Sequence, residues 1–125
     1  MSLQHIAEAA DWERALKSGF YDRSTRGASI EQVGFLHASD GPDQVATVLD
    51  AVYAGATGPL VLLTLDRAVL HRSGLRVMLE PGDPQRPDGE WFPHVYGGPI
   101  PVDAVADVVP VVRAAPGGPG AGAAT

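Results

Sequence analysis

No cysteine occurs in the 125 residues, which removes disulfides, thiolate metal sites and cysteine nucleophiles from consideration. No apolar run is long enough to cross a bilayer. The longest, Pro59 to Leu65, falls far short of the roughly 20 residues a membrane helix requires. Cations are few and scattered: nine Lys and Arg stand against fifteen Asp and Glu, a formal net charge of −6. Such a chain lacks the clustered positive charge that phosphate neutralisation needs. Nucleic acid and membrane are therefore not expected partners. Met1 to His5 shows no basic stretch followed by an apolar one, so no signal peptide is expected and the location reads as cytoplasmic. His-Glu-x-x-His, Gly-x-Ser-x-Gly, a Walker loop and a dinucleotide fingerprint are all missing.

What remains is a globular composition with 45% hydrophobic residues, enough for one modest core. The length fits a single domain, expected over residues 1–113, with a Pro/Gly/Ala tail over 114–125 that carries no core-forming side chain and reads as disordered. Leu3 to Ala7 is a short strand candidate. Ala9 to Ser18 forms a helix with Trp12, Ala15 and Leu16 on one face and Gly19 as its stop. Tyr21 to Ser29 is polar and irregular, and Gly34 to Ala38 reads as a strand. The clearest helix starts at Asp40 and Pro42, runs through Val45, Val48, Leu49, Val52 and Tyr53 at helical spacing, and ends near Gly55. Leu60 to Leu65 is continuous and apolar, as a buried central strand would be. Arg67 to Arg72 gives a helical turn, Leu75 to Glu80 a strand, Pro81 to Gly89 a loop, and Phe92 to Tyr96 and Val105 to Val112 two more strands. Pro110 puts the last of these at an edge or a bulge. The sum is an α+β fold whose mainly antiparallel sheet of about six strands is strongly bent or split, with two helices.

Three of the four histidines lie on strands. Period two places His37 on a face with Phe35 and Ser39, His94 with Phe92 and Tyr96, and His5 with Leu3 and Ala7. An imidazole among apolar neighbours must find partners. One such residue is most often a satisfied core histidine, but three in parallel placement point to a shared polar pocket. They could in principle also bind zinc from separate strands. His71, in the turn-like Leu70 to Gly74, reads as an exposed surface residue. Glu80, at a strand end before Pro81, is either an acid/base group or orienter of a histidine, or a partner of Arg76. Trp91 could stack on a planar ligand or cover the core. Gly97, in Gly97-Gly98-Pro99, permits either a close approach to a ligand or a sharp turn.

Taken in order, His5-Ile6-Ala7, the Trp12-x-x-Ala15 helix, Gly34-Phe35-Leu36-His37-Ala38-Ser39, the Leu60 to Asp66 strand, Glu80-Pro81 and Phe92-Pro93-His94-Val95-Tyr96-Gly97 resemble the bacterial family known as domain of unknown function 952. The family often has Cys where this chain has Ala38. The resemblance implies a more distant likeness to the ADP-ribosyltransferase fold, and with it NAD as a possible cofactor, although no cofactor is firmly implied. His5 would then hold a ribose hydroxyl, His37 and Ser39 would meet ribose or phosphate, and Glu80 or His94 would stabilise charge or move a proton. The catalytic candidates are thus His37, Glu80 and His94, and the ligand-binding candidates His5, Ser39, Trp91, Tyr96 and Gly97. Three functions stand open: an enzyme acting on an NAD-like or nucleotide-like ligand, another small-molecule enzyme using His–Glu acid/base chemistry, and a non-catalytic binding module. A small-molecule ligand is the expected partner, and the chain is expected to be a monomer or homodimer.

Overall fold

The computed structural model describes residues 2–112, so the expectation for the tail lies outside the described residues. In chain order the elements are β1 Gln4–Glu8, α1 Ala9–Ser18, β2 Phe20–Tyr21, β3 Arg23–Thr25, β4 Ala28–Ser29, α2 Ile30–Val33, β5 Leu36–His37, α3 Gly41–Val52, β6 Leu60–Leu65, α4 Arg67–Arg72, β7 Arg76–Pro81, β8 Trp91–Tyr96, β9 Ile100–Pro101, a 3-10 turn Val102–Ala104, and β10 Val105–Pro110. The mixed α+β character and the antiparallel pairing agree with the sequence. The single sheet does not. The described strands form two three-stranded sheets, β1-β6-β10 and β5-β8-β7, and two small pairs, β2-β9 and β3-β4.

The count of two helices is also corrected: the described residues form four α-helices, one of them at Arg67–Arg72, where a helical turn was expected. Helices α2 and α4 are four and six residues long, too short to show an apolar stripe. Local capping holds them instead. Ser29 and Gln32 form a reciprocal capping box on α2, and Asp66 accepts from the Ala68 and Val69 amides at the start of α4. Gly34, expected in a strand, is the left-handed cap that ends α2 at φ 101°, and this shortens the strand after it to Leu36–His37.

Strand β6 occupies the centre of its sheet, between β1 and β10, as its unbroken apolar run foretold. Strand β10 is an edge strand, and its register shifts between Val105 and Asp107. Segment 36–39 joins the two larger sheets. Leu36 and His37 pair with Val95 and His94 of β8, and two residues on Ser39 exchanges both backbone hydrogen bonds with Gln4 of β1. The core fills both sides of this joint. Leu36, Leu63, Leu70, Val95, Ile100 and Ala104 are almost fully enclosed on one side. On the other, α3 lays Val45 and Val48 over Ile6, Leu60 and Phe92. Each buried aliphatic or aromatic side chain stabilises by about 1.5–3 kcal/mol, so the two-residue β5 is held mainly by what Leu36 buries. His37 leaves the opposite face of that strand, beside α3.

Candidate functional site

The antiparallel register of β7, β8 and β5 lines up Met78, His94 and His37 across one sheet face. Phe92 and Tyr96, two residues to either side of His94, share that face. On it runs a continuous hydrogen-bonded chain. Glu80 Oε1 accepts from the Tyr96 hydroxyl at 2.6 Å and lies 2.9 Å from His94 Nδ1. His94 Nε2 lies 3.3 Å from His37 Nδ1. Phe35 stacks on the His94 ring, with centroids 4.0 Å apart and planes 18° from parallel. Glu80 is thus placed to orient a histidine, one of the roles expected of it. Arg76 pairs with no carboxylate among the described residues, and its guanidinium carbon sits 5.4 Å from the centre of the Tyr96 ring.

Hydrogen-bonding capacity sets the first step of this chain. A carboxylate only accepts, so His94 Nδ1 carries a hydrogen. Where that is the only hydrogen on the His94 ring, His94 Nε2 accepts from Nδ1–H of His37, and His37 Nε2 keeps a lone pair. Burial and then the neighbouring His94 lower the His37 pKa to about 4, which keeps this ring neutral at pH 7. The hydrogen bonds from Tyr96 and His94 hold the Glu80 carboxyl below its usual range, and the same carboxylate raises the Tyr96 pKa.

His37 opens on a cleft of about 320 Å³ between α3 and the loop 82–90. Thr47, Val48, Ala51 and Val52, one stripe of α3, form one wall, Phe92 lies among its lining residues, and Asp83, Arg86 and Glu90 come from the loop. The loop is tied down. Gln44 Nε2 donates to Glu90 Oε2 and to the Trp91 carbonyl, and Trp91 Nε1 donates to the Pro87 carbonyl. A larger cleft of about 500 Å³ lies by α2, lined by Asp22, Glu31, Gly98 and Pro99, and none of the histidines reaches it.

The remaining candidates occupy other positions. His5 is buried, its Nδ1–H donating to the His37 carbonyl at 2.6 Å and its Nε2 accepting from the Tyr21 hydroxyl at 2.9 Å. Burial brings its pKa down to about 4 and pushes that of Tyr21 up. Both His5 nitrogens are thus committed. Ser39 is buried and, with His5, His37 and Ser24, faces an interior space of about 10 Å³. Trp91 is on the opposite face of β8 from His94, half-exposed, and braces the loop. Gly97 has φ 124°, and a Cβ there would lie 2.6 Å from Leu75 Cδ2, so its glycine serves a turn packed on Leu75. His71 is exposed, as expected.

His37, His94, Glu80 and Tyr96 are therefore brought together, His5 stands behind them, and Trp91 and Gly97 lie apart. The three imidazoles hydrogen-bond to neighbours, and no group of three or more His, Asp or Glu among the described residues is placed to hold a metal ion. Sequence reasoning missed Tyr21, inside a stretch read as irregular, and the cleft residues Thr47 and Arg86. The spacing of Thr47 to Val52 on α3 was the available signal for one wall. No helix is long and apolar enough to cross a membrane among the described residues.

Residues 6–108 match the family described as protein of unknown function, DUF952. The fold is similar to the crystal structure of protein CC0527 from Caulobacter crescentus, with a TM-score of 0.70 and 25% identity over 94% of this chain and 91% of that one. A double mutant of that protein gives the same values. No curated protein matches.

Proposed function

This chain belongs to the DUF952 family of proteins of unknown function, and we propose that it is a small-molecule enzyme in which His37 is the general base, held in its proton-accepting form by His94 and Glu80. The observation that carries this reading is the ordered chain from Glu80 through His94 to His37, ending at a cleft. A general base needs a free lone pair within reach of substrate and a partner that fixes its tautomer. His37 has both. A proton taken from substrate goes to His37 Nε2, and the resulting positive charge is stabilised through Nδ1–H and His94 by the Glu80 carboxylate. Phe35 and Tyr96 fix the His94 ring and the carboxylate, so little reorganisation is needed as charge develops.

An NAD-like ligand finds less support. His5, the residue expected to hold a ribose hydroxyl, has no uncommitted nitrogen. The cleft beside His37 carries Asp83 and Glu90 against one arginine, a poor setting for a diphosphate. A non-catalytic module would leave the histidines separately satisfied, whereas two of them are coupled in series.

Two measurements test the proposal. Long-range proton–nitrogen correlation of the imidazoles at pH 7 is expected to find His37 protonated at Nδ1 and bare at Nε2. A mass-spectrometric screen of small metabolites is expected to find at least one compound transformed by the wild type and spared by His37→Gln. A hydrogen on His37 Nε2, or identical product profiles from the two proteins, sinks the reading.

A further inference from the structure

The loop wall of the His37 cleft carries three charged residues, and two of them are committed. Glu90 Oε2 accepts from Gln44 Nε2 at 3.0 Å, and Asp83 Oδ1 accepts from the Gln85 amide at 3.0 Å. Arg86 makes no side-chain hydrogen bond or ion pair among the described residues, although its backbone amide and carbonyl close the loop through Asp83 and Gly89. A guanidinium left unpaired beside an apolar cleft is a preformed anchor for a planar anion. The opposite wall supplies no charge, only Thr47, Val48, Ala51 and Val52, with Phe92 next to His37.

We infer that the cleft takes a small organic monocarboxylate whose apolar body lies on the α3 stripe and Phe92, with Arg86 binding its carboxylate. This deepens the reading of His37 as the base and rests on it for the location of the chemistry. Three features set the class. The volume of about 320 Å³ is at the small end of ligand pockets. The single cation matches one carboxylate, which an arginine grips through two parallel hydrogen bonds. Asp83 and Glu90 on the same wall raise the energy of any dianion, so a phosphate ester is disfavoured relative to a carboxylate. A neutral His37 adds no second positive charge at pH 7, and its lone pair is placed for a proton elsewhere on the bound acid.

The test is a titration of the full chain, followed by amide chemical shifts, with a series of short aliphatic and aromatic monocarboxylates, their uncharged primary amides and their phosphate counterparts. The carboxylates are expected to perturb loop 82–90 and the Thr47 to Val52 stripe. They should bind about ten-fold or more tightly than the amides, the range of one charge-assisted contact. Arg86→Gln should remove that preference, and Arg86→Lys should restore part of it. Arg86 is exposed on the loop, so both variants keep the fold. Amides binding as tightly as acids, an Arg86→Gln protein with unchanged affinities, phosphates outcompeting carboxylates, or no shift from any carboxylate at about 10 mM would each overturn the anchor. None of these outcomes alters the His37 tautomer or the His37→Gln metabolite screen, so failure of the anchor and failure of the base are read separately.

Discussion

His5 and His37 come from different sheets and are joined by a hydrogen bond that spans 32 residues of sequence. Desolvation brings both rings down to a pKa of about 4. By that measure they are twins. They differ in where the second nitrogen goes. His5 spends its two nitrogens on a backbone carbonyl and a buried tyrosine, so it fixes the joint between the sheets. His37 commits only Nδ1, and its ring borders an open cleft. A perturbed pKa in a buried place is therefore no marker of chemistry by itself. The count of uncommitted lone pairs is the better guide, and under the proposed function it separates a histidine that braces the fold from one placed to accept a proton.

The sharpest way to break this contrast is to delete each ring. His5→Ala leaves a cavity and strands the His37 carbonyl and the Tyr21 hydroxyl, and is expected to cost about 3–4 kcal/mol in urea unfolding. His37→Ala removes a partly buried ring with one hydrogen-bond partner and should cost less, about 1–2 kcal/mol, while abolishing the turnover proposed for it. Equal losses from both would erase the distinction. Acid provides the next largest effect. An unfolded histidine takes up its proton near pH 6.5, whereas folded His5 does so only near 4. Between these values the unfolded state binds the extra proton, so stability is complete above about pH 6.5 and falls as the pH drops towards 4. The loss for His5 is roughly 3 kcal/mol. His37 acts in the same direction. Urea midpoints measured across that window should therefore decline, and more shallowly in His5→Gln. An unchanged slope in the variant would show that His5 is not the buried neutral ring described.

Much of the β5-β8-β7 sheet was legible in the sequence, because β8 is six residues long and period two over that length puts Phe92, His94 and Tyr96 on one face. Glu80 was legible as a candidate from its place at a strand end before Pro81. Its partner was not. Which residue it meets depends on the offset of β7 against β8, and a non-local register leaves no trace in either strand alone. Tyr21 escaped because strands of two or three residues cannot display an alternation, so the stretch from Tyr21 to Ser29 looked irregular while holding β3, β4 and the end of β2. The short helix after it could have been found, since Ser29 followed three residues later by Gln32 is a capping-box signature. Where the sheet divides was illegible, because segment 36–39 changes partner between two neighbouring residues.

Glu80→Gln sharpens the contrast at the far end of the relay. The amide keeps the shape but loses the obligatory acceptor character, so nothing fixes the His94 hydrogen on Nδ1. The expected result is a mixture of His94 and His37 tautomers in nitrogen spectra, with a stability loss of about 1 kcal/mol. The low Glu80 pKa gives a second readout. Its stabilising contribution is present above the ordinary carboxylate value of 4.5 and is lost as the pH falls from there through the lowered folded value. The variant should lack that contribution and keep the decline that the histidines cause between about pH 6.5 and 4. A His37 ring locked in one tautomer in Glu80→Gln would show that the carboxylate does not set the direction of the chain.

The smallest effect tests whether the two histidines communicate by a second route. Ser24 is fully buried, and its hydroxyl has no hydrogen-bond partner among the described residues. It borders the interior space of about 10 Å³ that His5, His37 and Ser39 also line. A buried hydroxyl without a partner raises the energy of the folded state, so Ser24→Ala should be neutral or stabilising by up to about 1 kcal/mol. Yet a space of this size is close to the minimum that holds one water. If a water bridges Ser24 to the rings around it, Ser24→Ala will instead destabilise by about 1 kcal/mol or more and shift the imidazole resonances of both His5 and His37. A neutral variant with unmoved resonances keeps the two rings linked only through the His37 carbonyl. A costly one joins them into a single polar network, and the division between a building histidine and an acting one would then have to be drawn around the network as a whole.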